Sequence, residues 1–349
     1  MRYSKRRSEE GIRVSQNPVE QVLQVAMGYM ASSALYTAIA LNVPDELSGG
    51  SKDVAELARA TGANEDALYR ILRLLASTGV FTEKSPRRFA LTPSADLLRK
   101  DVPGSLRGMA VFLPDPFHFR VYAELMHSVM TGQPAGDKAL GMPVFEYLAK
   151  NPEYSKVFND AMTALSAPVV GAAIDAYDFS TIGTLVDVAG GHGAVLMSIL
   201  KACPNVKGVL ADVGHVIEGA KPRIAAAGLS SRCEAVAIDF FKSVPAGGDA
   251  YIMKHIIHDW DDERASIILR NIATAMGAKR GKVILLEAVI RADAELDFGK
   301  LLDIEMLALP GGRERSADEF KALFARSGFE MTKVIPTKSP LSVVEAVRK

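Results

Sequence analysis

The stretch "MKHIIHDWDDER" (residues 253–264) places a histidine, His258, where an apolar run ends and a charged segment begins. An imidazole titrates near neutral pH, so it can accept the proton of a hydroxyl group under physiological conditions. The residue type and its position therefore favour general-base catalysis. Asp259 follows directly, where it would serve either as a helix cap or as a second catalytic group, and both roles stay open at this point.

A metal site is the alternative chemistry for this stretch, because His255, His258, Asp259 and Asp261 are all metal-ligand types. Residues three apart on an extended strand point to opposite faces. We therefore expect His255 and His258 to lie apart and predict that the site holds no metal.

Strand and helix patterns alternate after Ser180, with strand-like runs at "TLVDVA", "VKGVLADV", "CEAVAIDF", "AYIMKHII" and "KVILLEAVI". Apolar β-branched runs that alternate with helices predict a parallel sheet covered on both faces. The segments "FEMTKVIP" and "LSVVEAV" should pair as a hairpin at one edge. The fold class is α/β, doubly wound and Rossmann-like, and His258 falls at the carboxyl edge where such sheets place their chemistry.

The first of these strands runs into a glycine-rich turn, "VDVAGGHGAV", in which Gly190 and Gly191 would let a ligand approach the backbone closely. A dinucleotide would require G-x-G-x-x-G or G-x-G-x-x-A, and Leu196 occupies the last of these positions counted from Gly191. The turn therefore favours a nucleoside cofactor without a pyrophosphate. Asp212, roughly 20 residues further on, has the position of a ribose ligand.

Two further strand ends carry side chains suited to an adenine ring. Asp239 and Phe240 close the third strand and offer a carboxylate acceptor beside an aromatic face. Lys254 lies in the fourth strand, where it either borders the same site or is a solvated or paired lysine.

The region before the sheet has a different pattern. "SKDVAELARATGANEDALYRILRLLASTGVF" predicts two amphipathic helices that separate at "TGAN", and "TEKSPRRFALT" predicts two short strands. This order is typical of a winged helix, so a ligand-responsive DNA-binding regulator is an alternative function. The second helix begins with two acidic residues and offers only Arg70 and Arg73 as cations, a poor match for phosphate. We therefore expect a dimerisation element.

The stretch from Val22 to Val43 carries no charge and has about the length needed to span a bilayer. Polar residues weaken that interpretation: Gln24, Ser32, Ser33, Thr37 and Asn42. We expect a helix buried on all sides, in the core or in a subunit interface, and hence a homodimer that is not a membrane protein.

Composition excludes several partners. Lys plus Arg and Asp plus Glu both total 41, so no net charge attracts nucleic acid or an anionic membrane. Cys203 and Cys233 are too few for a disulfide framework and lack zinc-site spacing, which favours the cytoplasm. Residues 1–16 begin "MRYSKRRSEEGIR", without the apolar core of a signal peptide, and we expect a flexible tail.

We expect three domains after this tail: a winged-helix dimerisation domain (17–103), a helical segment (104–180) and a cofactor-binding catalytic domain (181–349). The helical segment is dense in phenylalanine and methionine, which suit a pocket for a flat apolar ligand as well as an ordinary core. The candidate substrate-binding residues are Phe112, Phe117, Met126, Phe158 and Met162.

Six motifs in order, "LVDVAGGHG", "LADVGHVI", "AIDFF", "IMKHIIHDWDDE", "VILLEAVI" and "PGGRERS", resemble those of the S-adenosylmethionine-dependent small-molecule O-methyltransferases. This family includes the plant caffeate and flavonoid enzymes and bacterial polyketide-tailoring enzymes. The resemblance runs from about residue 17 to the C-terminus. It implies S-adenosylmethionine as the cofactor and a phenolic hydroxyl of a small aromatic molecule as the acceptor, with N-methylation or redirected chemistry as alternatives.

The resemblance also implies roles for individual cofactor residues. Gly190 and Gly191 line the methionine end, Asp212 holds the ribose, and the adenine lies between Asp239 and Phe240 with Lys254 at its border. Ala189 stands where the family commonly has another glycine, and His192 replaces a small or polar residue.

In the family the histidine of "HDW" is the general base, which assigns that role to His258. An imidazole needs a carboxylate to fix its tautomer and to stabilise the imidazolium. Glu287 interrupts the apolar strand "VILLEAVI" and Glu314 lies in "GGRERS", and both match family positions that flank the catalytic histidine.

Overall fold

The computed structural model describes residues 17–349, and the predicted flexible tail, residues 1–16, lies outside this range. The described chain divides into two compact units: the first ends at Pro116 and the second comprises Phe117–Lys349. This boundary falls within the predicted helical segment 104–180. Arg107 explains the early part of the division, because its guanidinium donates to Asp45, to Asn42 and to the carbonyl of Ile39, all in the first unit.

The helices of the first unit are α1 (Pro18–Ala40), α2 (Val43–Glu46), α3 (Val54–Thr61), α4 (Glu65–Ser77), α5 (Pro93–Asp96) and α6 (Arg107–Phe112). Its strands are β1 (Lys52–Asp53), β2 (Phe81–Ser85) and β3 (Arg88–Leu91), which form an antiparallel sheet in the order β1-β3-β2. The predicted break at "TGAN" is present: Gly62 ends α3 with a φ of +71°, and Asn64 caps α4. The winged-helix assignment itself stays a prediction.

The uncharged stretch Val22–Val43 is not one continuous helix buried on all sides. α1 ends at Ala40, and Asn42 adopts a φ of +58° before α2 begins. The second half of α1 packs into the core of its unit through Ala34, Ala38 and Ile39. Its first half is exposed within the described chain, with Val25 at 78%. By length and hydropathy alone α1 passes the test for a membrane-spanning helix, and 17% of that window is buried.

The helices of the second unit are α7 (Pro116–Tyr122), α8 (Leu125–Thr131), α9 (Ala135–Leu140), α10 (Val144–Lys150), α11 (Pro152–Ala176), α12 (Ala194–Ala202), α13 (Gly214–Ala226), α14 (Asp262–Met276), α15 (Phe298–Ala308) and α16 (Ala317–Arg326). Short 3-10 helices cover Phe179–Thr181 and Ile257–Asp259.

The strands of the second unit are β4 (Thr184–Val188), β5 (Lys207–Asp212), β6 (Cys233–Ala237), β7 (Ala250–Lys254), β8 (Lys282–Glu287), β9 (Val289–Ile290), β10 (Arg315–Ser316), β11 (Phe329–Pro336) and β12 (Ser342–Arg348). Seven of them form one sheet in the order β11-β12-β8-β7-β4-β5-β6. The five strands from β8 to β6 are parallel, and β12 and β11 continue the sheet as an antiparallel hairpin at one edge. The predicted doubly wound sheet and edge hairpin are confirmed.

Alternate residues of each central strand pack on opposite faces, as the period of a strand requires. On β4, Leu185 joins a core cluster with α11, α12 and α13, while Val186 joins one with α14 and α16. This two-sided burial explains the continuous apolar runs in the sequence. It also leaves the carboxyl ends of the parallel strands at one edge, where the loops that carry polar residues emerge.

The edge hairpin is held by a buried glutamate on β12. Glu345 accepts hydrogen bonds from Thr332 and Tyr177, both at 2.6 Å, and lies 3.1 Å from the Lys282 ammonium. Burial acts to raise the pKa of Glu345, but the hydrogen bonds and the lysine charge outweigh burial and lower this pKa to about 2. The ionised carboxylate therefore joins β11, β8 and the end of α11 to β12.

We expect Glu345→Gln to lower the free energy of unfolding by roughly 1–3 kcal/mol at pH 7, because a neutral amide replaces a charged acceptor of three donors. A pKa lowered by folding gives stability that is present above the unfolded pKa, about 4.3, and is lost as the pH falls towards 2. The difference between variant and parent should therefore narrow from pH 7 to pH 3 in chemical denaturation. Glu330→Gln, on the exposed side of β11, is the matched control, and an equal loss at both pH values would contradict the account.

Candidate active site

The glycine-rich turn between β4 and α12 packs against β4 at Gly190 and is open to a ligand at Gly191. Ala189, Gly191 and Gly193 have φ values of +56°, +60° and +83°. A Cβ atom on Gly190 would lie 2.5 Å from the Asp187 carboxyl carbon, whereas one on Gly191 would meet no atom of the described chain within 4 Å. Glycine is thus required at 190 by packing, and the backbone at 191 is accessible to a ligand. Ala189 adopts the left-handed conformation despite its side chain.

Asp187, in the middle of the apolar strand β4, lies directly beneath this turn. It is 1% exposed, and within residues 17–349 its Oδ2 has no hydrogen-bond partner. Burial, together with the charge of Asp212, raises the pKa of Asp187 to about 7. The sequence analysis did not select this residue, although a carboxylate inside an apolar strand is the same signal that selected Glu287.

Three of the six predicted cofactor-binding residues lie at the end of β5 or just beyond β6. Asp212 is half-buried; its Oδ2 accepts from the Gly191 N–H at 2.8 Å and its Oδ1 from the Val213 N–H at 2.7 Å. Asp239 is exposed and forms an ion pair of 3.1 Å with Lys242. β6 ends at Ala237, three residues earlier than the predicted strand, so Asp239 and Phe240 lie in the loop beyond it.

Phe240 packs in an aromatic group with Phe241, at a centroid distance of 4.8 Å, and with Trp260, at 6.1 Å. Trp260 belongs to the "HDW" stretch and carries the Arg264 guanidinium over its ring. The aromatic surface predicted for adenine is therefore continuous with the segment that carries His258.

The backbone changes direction at the end of β7. His255 has a φ of +54°, and Ile256 has φ and ψ of −121° and −48°, so the chain after Lys254 is not extended. The His255 and His258 rings lie on the same side, with centroids 4.7 Å apart and Nδ1 atoms 3.4 Å apart. The expectation that these histidines point to opposite faces is wrong, because it assumed an extended strand from His255 to His258, whereas β7 ends at Lys254.

His258 lies in the 3-10 helix Ile257–Asp259 and is 5% exposed. Its Nδ1 lies 2.6 Å from Glu314 Oε1 and 3.7 Å from Glu287 Oε2. Its Nε2 lies 3.5 Å from Asp259 Oδ1, a distance beyond good hydrogen-bond geometry. The structure thus brings together the four predicted catalytic residues.

Asp259 does not cap α14, because Asp261 occupies the N-cap and accepts from the Arg264 N–H. The capping role considered for Asp259 is therefore wrong. Burial raises its pKa to about 7, and the neighbouring glutamates act in the same direction.

Glu287 ends β8 and is fully buried. Its Oε1 accepts from the N–H groups of Ile256 and Ile257 at 3.1 and 3.0 Å, which fixes the backbone just before His258. Burial raises the pKa of Glu287 to about 7, while the two N–H donors and a charged His258 act to lower it.

Glu314 is held by its loop. The Glu314 N–H donates to Asp303 on α15 at 2.8 Å, and the Arg313 N–H donates to the carbonyl of His258 at 2.8 Å. Burial and the charge of Asp303 raise the pKa of Glu314 to about 8, against the lowering effect of Arg315. Asp303 and Arg315 also contact this candidate site, and the sequence analysis did not select them.

Arg315, 1% exposed, fastens the same loop to the "HDW" segment. Its guanidinium donates to the carbonyls of Ile257 and Trp260 at 3.1 and 2.9 Å and to Asp262 at 2.8 Å. A buried guanidinium with these acceptors keeps both sides of the His258–Glu314 pair in place.

Lys254 interacts with two of the predicted catalytic carboxylates and with Asp187 beneath the turn. Burial lowers its pKa, and the charges of Glu287, Asp187 and Asp259 act to raise it. Its surroundings thus link the glycine-rich turn to the catalytic group.

The predicted substrate residues are dispersed. Phe117 is buried and its ring lies 4.2 Å from that of Tyr154, Met126 on α8 is 71% exposed, and Phe158 and Met162 are half-buried on α11. Phe112, 6% exposed, belongs to the first unit.

A doubly wound sheet with an open glycine-rich turn and a buried histidine–carboxylate pair is the arrangement expected of a group-transfer enzyme that binds a nucleoside cofactor. Residues 122–330 match the O-methyltransferase domain, and residues 23–101 match the O-methyltransferase dimerisation domain. The chain belongs to this family and is an S-adenosylmethionine-dependent enzyme of the O-methyltransferase class.

Three relatives describe the range of the family. Phenazine O-methyltransferase PhzM of Lysobacter antibioticus is 45% identical over 325 residues, 93% of this chain and 95% of the relative. 8-Amino-8-demethylriboflavin N,N-dimethyltransferase of Streptomyces davaonensis is 33% identical over 330 residues, 93% and 94% of the two chains. An O-methyltransferase from neocarzinostatin biosynthesis, solved with S-adenosylmethionine and 2-hydroxy-5-methyl naphthoic acid, is 33% identical with a TM-score of 0.78, over 91% of this chain and 96% of that chain.

The residues of this chain fit the cofactor. The backbone at Gly191 is open to a ligand, Asp212 contacts it from the end of β5, and Asp239 provides a second carboxylate just beyond the neighbouring strand β6. No phosphate-binding group is needed, which agrees with the failed dinucleotide spacing.

Gly312 is a sensitive point of the site, because a Cβ atom there would lie 1.9 Å from the carbonyl oxygen of His258. We expect Gly312→Ala to displace the Glu314 loop and to lower kcat by roughly tenfold or more, while the affinity for S-adenosylhomocysteine changes little. Gly171→Ala, which meets no atom within 4 Å in the described chain, is the control. Steady-state kinetics and calorimetry measure both effects, and a Gly312→Ala protein with the parent kcat would refute the packing argument.

Proposed function

We propose that this enzyme transfers the methyl group of S-adenosylmethionine to a hydroxyl, in particular a phenolic hydroxyl, of a small aromatic molecule, with His258 as the general base. The observation that carries the proposal is the 2.6 Å contact between His258 Nδ1 and Glu314 Oε1 inside a buried site. A carboxylate in this position fixes the tautomer and stabilises the imidazolium that forms.

The contact at Nδ1 assigns the proton-transfer role to the other nitrogen. In this proposal the Nδ1 proton belongs to His258 and ionised Glu314 accepts it, which leaves the Nε2 lone pair available. The bound cofactor supplies an electrophilic methyl group on a sulfonium centre. As the acceptor oxygen attacks, Nε2 takes its proton, and the resulting imidazolium is balanced by Glu314 on one side and faced by Asp259 on the other.

Glu287 acts through the backbone and through charge. It holds the Ile256 and Ile257 N–H groups, and its second oxygen lies 3.7 Å from His258 Nδ1. Both effects favour a charged imidazole in one orientation. We therefore assign Glu287 and Glu314 as positioning residues and His258 as the catalytic residue.

For the cofactor we propose that Gly190 and Gly191 line its methionine end and that Asp212 binds its ribose hydroxyls. Asp239 and the ring of Phe240 then receive the adenine. Lys254 lies between this site and the catalytic carboxylates, and we propose that it balances their charge.

The acceptor is proposed to be a flat aromatic ring. The relative from neocarzinostatin biosynthesis was solved with a naphthoic acid, and PhzM is named for phenazines. Phe112, Phe117, Met126, Phe158 and Met162 remain the proposed contacts for such a ring.

N-methylation is the second candidate, favoured by the riboflavin N,N-dimethyltransferase among the relatives. An aryl amine also loses a proton when it is methylated, so the same base would serve. Parallel assays with a panel of phenols and aryl amines, analysed by mass spectrometry, distinguish the two acceptor atoms.

We further propose that the protein is a cytoplasmic homodimer that does not bind DNA. The match to a dimerisation domain covers α3 and α4, the two helices that raised the DNA-binding alternative. The exposed apolar half of α1 provides a surface that a second subunit would cover; it carries Val19, Val22, Leu23, Val25, Met27, Tyr29 and Met30.

We predict that His258→Ala lowers kcat by roughly 10² to 10⁴, the usual contribution of a positioned base, and leaves the affinity for S-adenosylhomocysteine nearly unchanged. The reason is that the glycine turn and Asp212 are independent of the imidazole. His215→Ala, at an exposed position on α13, should behave as the parent.

The same assay tests the mechanism against a metal-dependent one. EDTA should leave the parent rate unchanged. A His258→Ala protein with the parent rate, or an activity that EDTA abolishes and magnesium restores, would overturn the proposal.

We predict a dimer in light scattering at micromolar concentration, and a shift towards monomer for Val25→Asp, because a charge at this 78% exposed apolar position would be buried in the interface. Ile267→Asp, 37% exposed on α14, is the control for an added charge elsewhere. A monomeric parent, or a parent that is soluble only in detergent, would contradict the dimer.

A further inference from the structure

Four side chains, including that of the proposed general base, lie closer together than the proposed reaction requires. His255, His258, Glu287 and Glu314 each offer one ligand atom, and these four atoms all lie within 4.8 Å of one another. His255 is the additional member, because methyl transfer as proposed uses only the other three. Its left-handed backbone, at a φ of +54°, is what brings its ring to the cluster.

The spacing of these atoms approaches that of a tetrahedral metal site. Ligand bonds of about 2.0–2.1 Å to zinc place neighbouring ligand atoms about 3.3–3.4 Å apart. The two Nδ1 atoms are 3.4 Å apart, and Glu287 Oε2 lies 3.7 Å from one and 3.9 Å from the other. To reach this geometry the 2.6 Å contact between His258 and Glu314 has to lengthen, and the longer separations in the cluster, which are at most 4.8 Å, have to shorten.

An independent observation points to a ligand at the same place. Glu287 Oε2 and Glu314 Oε2 are buried, and within the described range 17–349 neither has a hydrogen-bond partner. Glu287 Oε2 faces both imidazoles, so a buried acceptor lies unused between two nitrogen ligands. A buried carboxylate oxygen without a donor is unfavourable, and a bound cation would satisfy it.

Charge also favours a dication here. Two carboxylates and two neutral imidazoles balance one divalent ion, so the complex would be neutral in its buried surroundings. A neutral imidazole is the form of histidine that binds metal. Nitrogen and carboxylate oxygen together suit zinc.

We propose that His255, His258, Glu287 and Glu314 form an inhibitory binding site for zinc. This inference rests on the proposed role of His258 as the base. Zinc binds the Nδ1 lone pairs of both histidines and one oxygen of each glutamate. The proton of His258 moves from Nδ1 to Nε2, and any proton on the carboxyl groups leaves to solvent.

The displaced proton is the cause of inhibition. A neutral imidazole that binds metal through Nδ1 carries hydrogen on Nε2. Nε2 is the atom proposed to accept the substrate proton, so zinc removes the lone pair on which the reaction depends. The glycine turn and Asp212 lie outside the cluster, so cofactor binding should persist.

The test uses the full-length enzyme with zinc chloride. Calorimetry should give one zinc ion per chain, and saturating zinc should lower kcat by roughly 10² or more, the contribution of the base. The affinity for S-adenosylhomocysteine should change less than twofold, and EDTA should restore the parent rate. The visible spectrum with cobalt should show nitrogen and oxygen ligands without thiolate, which excludes binding through Cys203 or Cys233.

His255→Asn is the decisive variant, since asparagine tolerates a positive φ but its short side chain replaces the imidazole ligand. Its zinc affinity should fall by at least roughly 10- to 100-fold, with inhibition measured relative to its own metal-free rate. His215→Gln removes an exposed histidine as the matched control and should keep the parent affinity. Glu287→Gln, followed by zinc calorimetry alone, provides a second ligand deletion if His255→Asn is unstable.

Each outcome decides the proposal. Absence of zinc binding to the parent, parent-like affinity in His255→Asn, or zinc binding without loss of rate would overturn it. One combination of results distinguishes the two proposals. If His258→Ala keeps full activity, His258 is not the base. If the parent still binds zinc and His255→Asn does not, the zinc site is nevertheless supported.

Discussion

A buried contact between His258 and Glu314, 2.6 Å long, is the interaction on which the proposed active site depends. The partners are 56 residues apart, so neither loop can form it alone. β7 delivers the histidine, and the loop before β10 delivers the glutamate and is fastened by Arg315. Gly312 lets this loop lie against the carbonyl of His258, which is why a single methyl group there would separate the pair.

Removing this pair from water costs free energy, which interactions with the surrounding residues offset. Burial raises the pKa of Glu287 to about 7 and that of Glu314 to about 8, so both carboxylates are harder to ionise than in water. Backbone N–H groups, Lys254 and Arg315 favour the charged forms. A site with little water strengthens each remaining charge interaction, and this is the condition under which an imidazolium next to a carboxylate contributes most to catalysis.

The sequence predicted the sheet, and the four residues it proposed as catalytic lie together in the structure. Strands buried on both faces are continuous apolar runs. A carboxylate that interrupts such a run, as Glu287 does, is buried and needs hydrogen-bond or charge partners. Asp187 also interrupts an apolar strand, β4, but it was not among the residues predicted from the sequence. The position of His255 could not be predicted, because a single left-handed residue ended the strand there. An uncharged helix sequence also does not show whether the helix is buried by its own chain or by a partner subunit. The first half of α1, which is exposed in the described chain, is an example.

The tautomer of His258 is the most direct test of the account. Imidazole ¹⁵N resonances of histidine-labelled, metal-free enzyme, with His258→Ala used for assignment, report which nitrogen carries the proton. The account predicts a protonated Nδ1 hydrogen-bonded to Glu314 and an unprotonated Nε2 above the titration of the ring, and loss of this preference in Glu314→Gln. A protonated Nε2 with a bare Nδ1 in the parent enzyme would contradict it, since the nitrogen that faces the acceptor would then have no lone pair.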